Sequence, residues 1–138
     1  NKHAGQISFP GGQMDKNDCS PEHTALRETE EEIGLTGQLI EVVGHLNDYV
    51  VGTGFLVSPI IGFIEPPFLL NPHENEVAEV FEAPLHFITH PDNFEHHTRK
   101  INGIDRSFVA IQWNERFIWG ATAGILRDLS HRLWSDVQ

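Results

Sequence analysis

The chain has 138 residues, enough for one core and too few for two ordinary domains. Hydrophobic residues make up 39% and charged residues 21%, the balance of a folded globular chain rather than a disordered or fibrous one. Nine Lys+Arg against 20 Asp+Glu give a net charge of −11, a field that repels phosphate backbones and argues against nucleic-acid binding.

Taken in chain order, Ile7-Ser8-Phe9 is strand-like and ends at the turn signal Pro10-Gly11-Gly12. A polar loop follows from Gln13 to Cys19. Ser20-Pro21 is an N-cap with proline at the first helical position, and Gly34 suits the left-handed residue that stops a helix, so residues 21–33 are predicted helical. Strands are predicted at 39–46, at 55–64 on either side of Pro59, at 77–81, 107–113 and 116–119. A closing helix is expected over about 121–134 with Ile125, Leu126, Leu129 and Leu133 on one stripe. The apolar runs are all broken before the roughly 18 residues a membrane-spanning helix needs. Strands mixed with two separate helices point to an α/β layered domain, and no repeat or linker divides residues 1–138.

Cys19 is the single cysteine, so no internal disulfide and no multi-cysteine metal site is expected; a reducing compartment fits, with the cytoplasm as default. The sequence opens on Asn1 without a charged-then-apolar leader, and the beginning of the domain is expected to lie upstream.

The first helix breaks local rules. Glu28, Glu31 and Glu32 stand at i, i+3 and i+4, where each like-charge pair costs roughly 0.2–0.5 kcal/mol, and carboxylates near a helix C-terminus oppose the macrodipole by about 0.3–1 kcal/mol each. Arg27 offsets part of this through Glu31. Ala25, Leu26, Thr29 and Ile33 form the expected core-facing stripe, which leaves Glu28 and Glu32 along its edge and half-buried. An isolated run of glutamates is ordinarily a solvated face. Here a Gly-Gly turn, a loop and a capped helix lead into the acids at a spacing that brings the turn's carbonyls near them. A divalent cation would supply the missing positive charge, and oxygen-only donors favour Mg²⁺ or Mn²⁺ over Zn²⁺ or Cu²⁺.

Gly12, Asp18 and Arg27-Glu28-Thr29-Glu30-Glu31-Glu32-Ile33-Gly34-Leu35 together resemble the Nudix box, the loop-helix signature of hydrolases that cleave nucleoside diphosphates linked to another moiety. Two departures stand out: Asp18 occupies a position where the general pattern has Glu, and eight residues, 19–26, rather than seven separate it from Arg27. The string His3-Ala4-Gly5-Gln6-Ile7-Ser8-Phe9-Pro10-Gly11-Gly12 is similar to the extra motif of the family's coenzyme A pyrophosphatase branch, which also tolerates the longer spacing. The later NEVAEVFEAPL and RFIWGATAGIL resemble that branch's downstream strand and C-terminal helix.

The resemblance implies a Nudix-type α/β/α sandwich with a mixed β-sheet and a loop-helix-loop catalytic motif. It implies hydrolysis of the diphosphate of coenzyme A or its derivatives to 3',5'-ADP and 4'-phosphopantetheine. It assigns Glu28, Glu31 and Glu32 to Mg²⁺ or Mn²⁺, with the Gly12 carbonyl as a further ligand and Arg27 orienting the glutamates. His3, Gly5, Gln6, Phe9, Pro10 and Gly11 are implied contacts to the substrate. The general base is left between a helix glutamate and Glu76 or Glu74. Lys2, Arg99, Lys100, Arg106 and Arg116 are available to the 3'-phosphate and adenine, although each is by default a solvent-facing charge.

Other constellations weigh less. His86 and His90 have a zinc-ligand spacing but no intervening HExxH glutamate, so packing or surface roles are favoured. Trp113, Phe117 and Trp119 could stack on adenine, yet large apolar residues alternating in strands are more often core. Cys19 has no adjacent base. The rival readings are a broader pyrophosphatase acting on ADP-ribose, NADH or dinucleoside polyphosphates, and a non-catalytic binding module of the same fold. A small-molecule substrate, no nucleic acid and no membrane are expected, and a homodimer is left open.

Overall fold

The computed structural model describes residues 6–135, which fall into two units. Phe9–Val50 and Phe55–Phe81 form one, and residues 6–8, Val51–Gly54 and those from Glu82 onward form the other.

The first unit is organised by helix α1, Pro21–Ile33. The Ser20 hydroxyl accepts the His23 N–H at 3.2 Å, Pro21 occupies the first turn, and Gly34 closes the helix at φ 75°, donating its N–H to Glu30. Two helix-end carbonyls are satisfied from a distant segment. The Asn71 N–H donates to Ile33 at 2.7 Å and the His73 N–H to Glu32 at 2.8 Å, so residues 71–73 act as a tertiary cap. After a short 3₁₀ turn at Gly37–Leu39 come β1 (Glu41–His45), β2 (Tyr49–Val50), β3 (Leu56–Val57) and β4 (Ile60–Phe63). Strand β1 pairs antiparallel with β4, with an irregularity between Val42 and Gly44, and β2 pairs antiparallel with β3.

The expected strand over 39–46 is thus shorter, because Gly37 starts a turn that holds Leu39 out of the ladder. Residues 77–81 are not assigned to a strand. They leave a tight turn, closed by the Val77 N–H on His73 at 2.9 Å, and run into Pro84. Residues 7–9 are likewise not assigned to a strand.

The second unit contains helix α2 (Leu85–Thr89), strands β5 (Glu95–Ile101), β6 (Ile104–Trp113) and β7 (Arg116–Trp119), and helix α3 (Gly120–Trp134). The three strands form an antiparallel sheet in chain order. Asn102 and Gly103, both at positive φ, make the two-residue turn between β5 and β6, whose twist matches that of the flanking strands. Val109 and Ile111 from β6, Ile118 from β7 and Ala123 and Leu126 from α3 are the buried core, joined by the partly buried Ile7, Phe87, Ile88 and Phe94. The Thr122 hydroxyl donates to the Ile7 carbonyl at 2.8 Å, tying the N-terminal segment to α3.

Helix α3 keeps part of its expected stripe inward: Leu126 is buried in the core and Ile125 and Leu129 are half-buried, whereas Leu133 is 49% exposed. Thr122, Ala123, Gly124 and Ser130 are buried as well, which shifts the inward face toward these small residues. Strand β7 differs similarly, since Ile118 enters the core while Phe117 and Trp119 remain on the opposite, partly exposed face. His86 and His90 pack around Trp134 at ring separations of 5.2 and 4.6 Å, which supports their packing role. Both units combine helix with antiparallel sheet, as expected for an α/β fold.

Candidate active site

The acidic edge of α1 is built around one guanidinium. Arg27 Nε donates to Asp18 Oδ1 and Nη2 to Asp18 Oδ2, both at 2.9 Å. Its Nη1 reaches Glu28 Oε1 at 3.0 Å and Glu31 Oε2 at 3.3 Å, and Nη2 also donates to the Gln13 carbonyl at 3.1 Å. One cation is therefore shared among three carboxylates and the loop backbone. Forked, charge-assisted bonding of this kind fixes the plane of the guanidinium.

Asp18 is the inner anchor, its side chain 1% exposed. Besides Arg27 it accepts the Asp15 N–H at 2.8 Å and the Thr24 hydroxyl at 2.9 Å. Hydrogen bonds from Arg27 and then the Asp15 N–H hold its carboxyl well below the usual range; burial opposes them without prevailing, and the Thr24 hydroxyl adds to the lowering. The same contacts raise Arg27, with Asp18 the largest cause. Each Asp18 oxygen thus already serves protein donors, and the residue acts as a strut for Arg27. Sequence reasoning left this role unassigned. Its readable signal was a short acid placed before the helix that carries the arginine.

The glutamates gather at the Gly11-Gly12 turn. Glu32 Oε2 accepts the Gly11 N–H at 3.2 Å. The Glu28 carboxylate occupies the space a side chain on residue 12 would need: a Cβ there would lie 2.6 Å from its Cδ and Oε1. A side chain at residue 12 would have to displace this carboxylate, so the glycine matters here through close approach rather than backbone angle. Burial raises the Glu32 pKa first; the Gly11 N–H lowers it, while the charges of Glu28, Glu76 and Glu31 raise it further. Glu28 and Glu32 are half-buried, as their position on the helix edge predicts, and Glu31 is 57% exposed on the outer side of Arg27.

Glu76 is brought toward Glu32 by the cap at the end of α1. His73 binds the Glu32 carbonyl, and the Glu76 N–H then donates back to the His73 carbonyl at 3.1 Å. Glu76 accordingly sits in a turn rather than at a strand entry. Phe9 and Pro10 lead into the Gly11-Gly12 turn within this unit, while Gln6 belongs to the other unit, beside Gly120. His3 and Gly5 lie outside the described residues.

Among the described residues no three histidine, cysteine or acidic side chains already converge as a ready metal cage. Glu28 and Glu31 face Arg27, and Glu32 faces the Gly11 amide. The donor chemistry nevertheless fits a hard divalent cation, because Glu28, Glu31 and Glu32 offer carboxylate oxygens and the single arginine leaves negative charge in excess.

Comparison with known proteins gives the family. The model of the NUDIX domain matches residues 1–113. The chain is similar to a protein named uncharacterized Nudix hydrolase NudL from Escherichia coli (strain K12), 41% identical over 130 residues that cover 94% of this chain and 67% of that protein. A protein of the same name from Shigella boydii serotype 4 (strain Sb227) is 42% identical over the same coverage.

Proposed function

Because the chain belongs to the Nudix hydrolase family, an enzyme of the pyrophosphatase type, we propose that it cleaves the diphosphate bond of coenzyme A or its derivatives. The products are 3',5'-ADP and 4'-phosphopantetheine. Family membership carries the coarser statements: a small-molecule substrate and dependence on a divalent metal. The choice of substrate rests on the string His3 to Gly12, which resembles the motif of the coenzyme A branch. We take residues 1–138 as a single hydrolase domain and place it in the cytoplasm, in keeping with one unpaired cysteine; among the described residues no helix is long and apolar enough to cross a membrane.

Glu28, Glu31 and Glu32, with the Gly12 carbonyl, would hold Mg²⁺ or Mn²⁺. Such an ion, when bound, neutralises the diphosphate and lowers the pKa of a water nucleophile. The protein's own groups do the positioning. Asp18 fixes Arg27, which holds Glu28 and Glu31 on one side of the helix, and the Gly11 amide holds Glu32. We assign the proton from water to a helix glutamate or to Glu76 or Glu74; the nearness of Glu76 to Glu32, whose pKa is raised by burial first and also by the Glu76 charge, supports Glu76. Gln6, Phe9 and Pro10, with His3 and Gly5, are assigned to the substrate.

The single observation that carries the reading is the convergence of Glu28 and Glu32 on the Gly11-Gly12 turn. The test compares hydrolysis of coenzyme A with that of ADP-ribose, NADH and dinucleoside polyphosphates, for the wild-type chain and for Glu31→Gln and Glu32→Gln. Coenzyme A is expected to have the highest kcat/KM, and each substitution is expected to lower it by about a hundredfold or more. A clear preference for ADP-ribose overturns the substrate, and unchanged turnover in both variants overturns the site.

A further inference from the structure

The face of the β5-β6-β7 sheet opposite the Val109-Ile111-Ile118 core carries an unusual row of side chains. Arg99 and Arg106 are direct cross-strand partners, as are Lys100 and Asp105 next to them. Side chains alternate between faces, so Arg99 and Arg106 project together on one face and the Lys100-Asp105 pair on the other. Like charges directly opposite one another destabilise a sheet. Both arginines are exposed, and among the described residues neither side chain has a hydrogen bond or ion pair.

The next cross-strand pair on the same face is His97 and Phe108, two residues or about 7 Å along the strands. Their rings are stacked at 5.3 Å with an interplanar angle of 16°. Phe117 and Trp119 extend this aromatic surface from β7, 5.8 Å from His97 and 6.0 Å from Phe108 respectively, and they are 39% and 38% exposed. Two features stand out on this face: a like-charged pair of arginines in a chain of net charge −11, and aromatic rings turned away from the core, with the one acid of this face among the described residues, Glu95, already bonded to His97 at 2.9 Å.

We propose that this face binds a nucleoside phosphate, with the phosphate between Arg99 and Arg106 and the base against the aromatic surface. A phosphate dianion matches two guanidinium forks and removes their mutual repulsion. A planar base gains stacking energy on aromatic rings whatever its identity. The spacing between the arginine pair and the aromatic pair is of the order of that between the phosphate and base of one nucleotide. The proposal uses only residues of this sheet and is independent of the metal-dependent hydrolysis proposed above.

The test is calorimetric titration of the wild-type chain with 3',5'-ADP in the presence of a chelator, so that metal held by the α1 carboxylates does not contribute. Saturable binding is expected that weakens with added salt. Arg99→Gln/Arg106→Gln should reduce affinity tenfold or more, Trp119→Ala severalfold, and Lys100→Gln, on the opposite face, little. Inorganic phosphate should bind more weakly than 3',5'-ADP. The proposal is overturned if the wild-type chain shows no saturable binding, if the double variant binds normally, if Lys100→Gln loses as much as the double variant, or if inorganic phosphate binds equally well. Failure on these counts leaves the Glu31→Gln and Glu32→Gln hydrolysis test unaffected.

Discussion

Asp18 directs its oxygens at Arg27, the Asp15 amide and the Thr24 hydroxyl, and this commitment separates its role from that of the glutamates one helical turn away. Asp18→Asn replaces a charged acceptor by a neutral one, so the guanidinium loses its fork and Glu28 and Glu31 lose their fixed partner. Metal affinity or turnover should fall about 10- to 100-fold, the usual effect of removing a residue that orients ligands. The acid limb gives a second readout. A carboxyl whose folded pKa is depressed stabilises the fold above its unfolded value, near 4, and that contribution disappears as pH falls toward the folded value. The wild-type melting temperature should therefore exceed that of Asp18→Asn at pH 7, with the gap closing below about pH 4; a gap independent of pH contradicts the account. Gly12→Ala probes the opposite side of the site. Its added methyl would meet only the mobile end of Glu28, so stability should change by no more than about 1 kcal/mol while turnover drops at least tenfold. Normal turnover in this variant would show that Glu28 does not need its place at the turn.

Among the elements, α1 was readable because its start, stop and amphipathic edge are all encoded locally: Ser20-Pro21, Gly34 and the spacing of Glu28 and Glu32. What was not readable is the cap made by Asn71 and His73, since nothing local in those residues names a helix some 40 positions earlier as their partner. That cap places Glu76 near Glu32. Strand β5 was missed for another reason: the run EHHTRKI is almost entirely polar, and a strand with an exposed face lacks the apolar alternation that marks a half-buried one. The Asn102-Gly103 dipeptide was the available clue, because it specifies the two-residue hairpin that fixes the register. In α3 the leucine stripe was readable at Leu126 but not at Leu133, which is exposed, while the burial of Thr122, Ala123, Gly124 and Ser130 carries no apolar periodicity to announce it. Gly34→Ala tests the joint between helix and cap. The residue lies at φ 75°, and a Cβ would come within 3.0 Å of the Asn71 backbone, which cannot yield as a side chain can. A loss of about 2 kcal/mol or more is expected in urea denaturation, and an unchanged midpoint contradicts the capping role.

At the scale of the whole molecule, part of the net charge of −11 sits on one edge of α1, where three carboxylates share a single arginine and Glu32 lies on the Gly11 amide beside them. On the proposed assignment, that edge repels itself without metal and gains affinity from a bound cation. The most direct measurement is the melting temperature in chelator and after adding Mn²⁺ or Mg²⁺, for the wild-type chain and for Glu32→Gln. At a metal concentration of a hundred times Kd, binding stabilises by about 2.7 kcal/mol, or on the order of 8 °C for a chain of this size. The wild-type chain should show that rise. Glu32→Gln should melt slightly higher than wild type in chelator, because one repelling charge is gone, and should gain little from the ion. Equal gains in both chains, or none in the wild type, would contradict the assignment of the helix edge to a divalent cation.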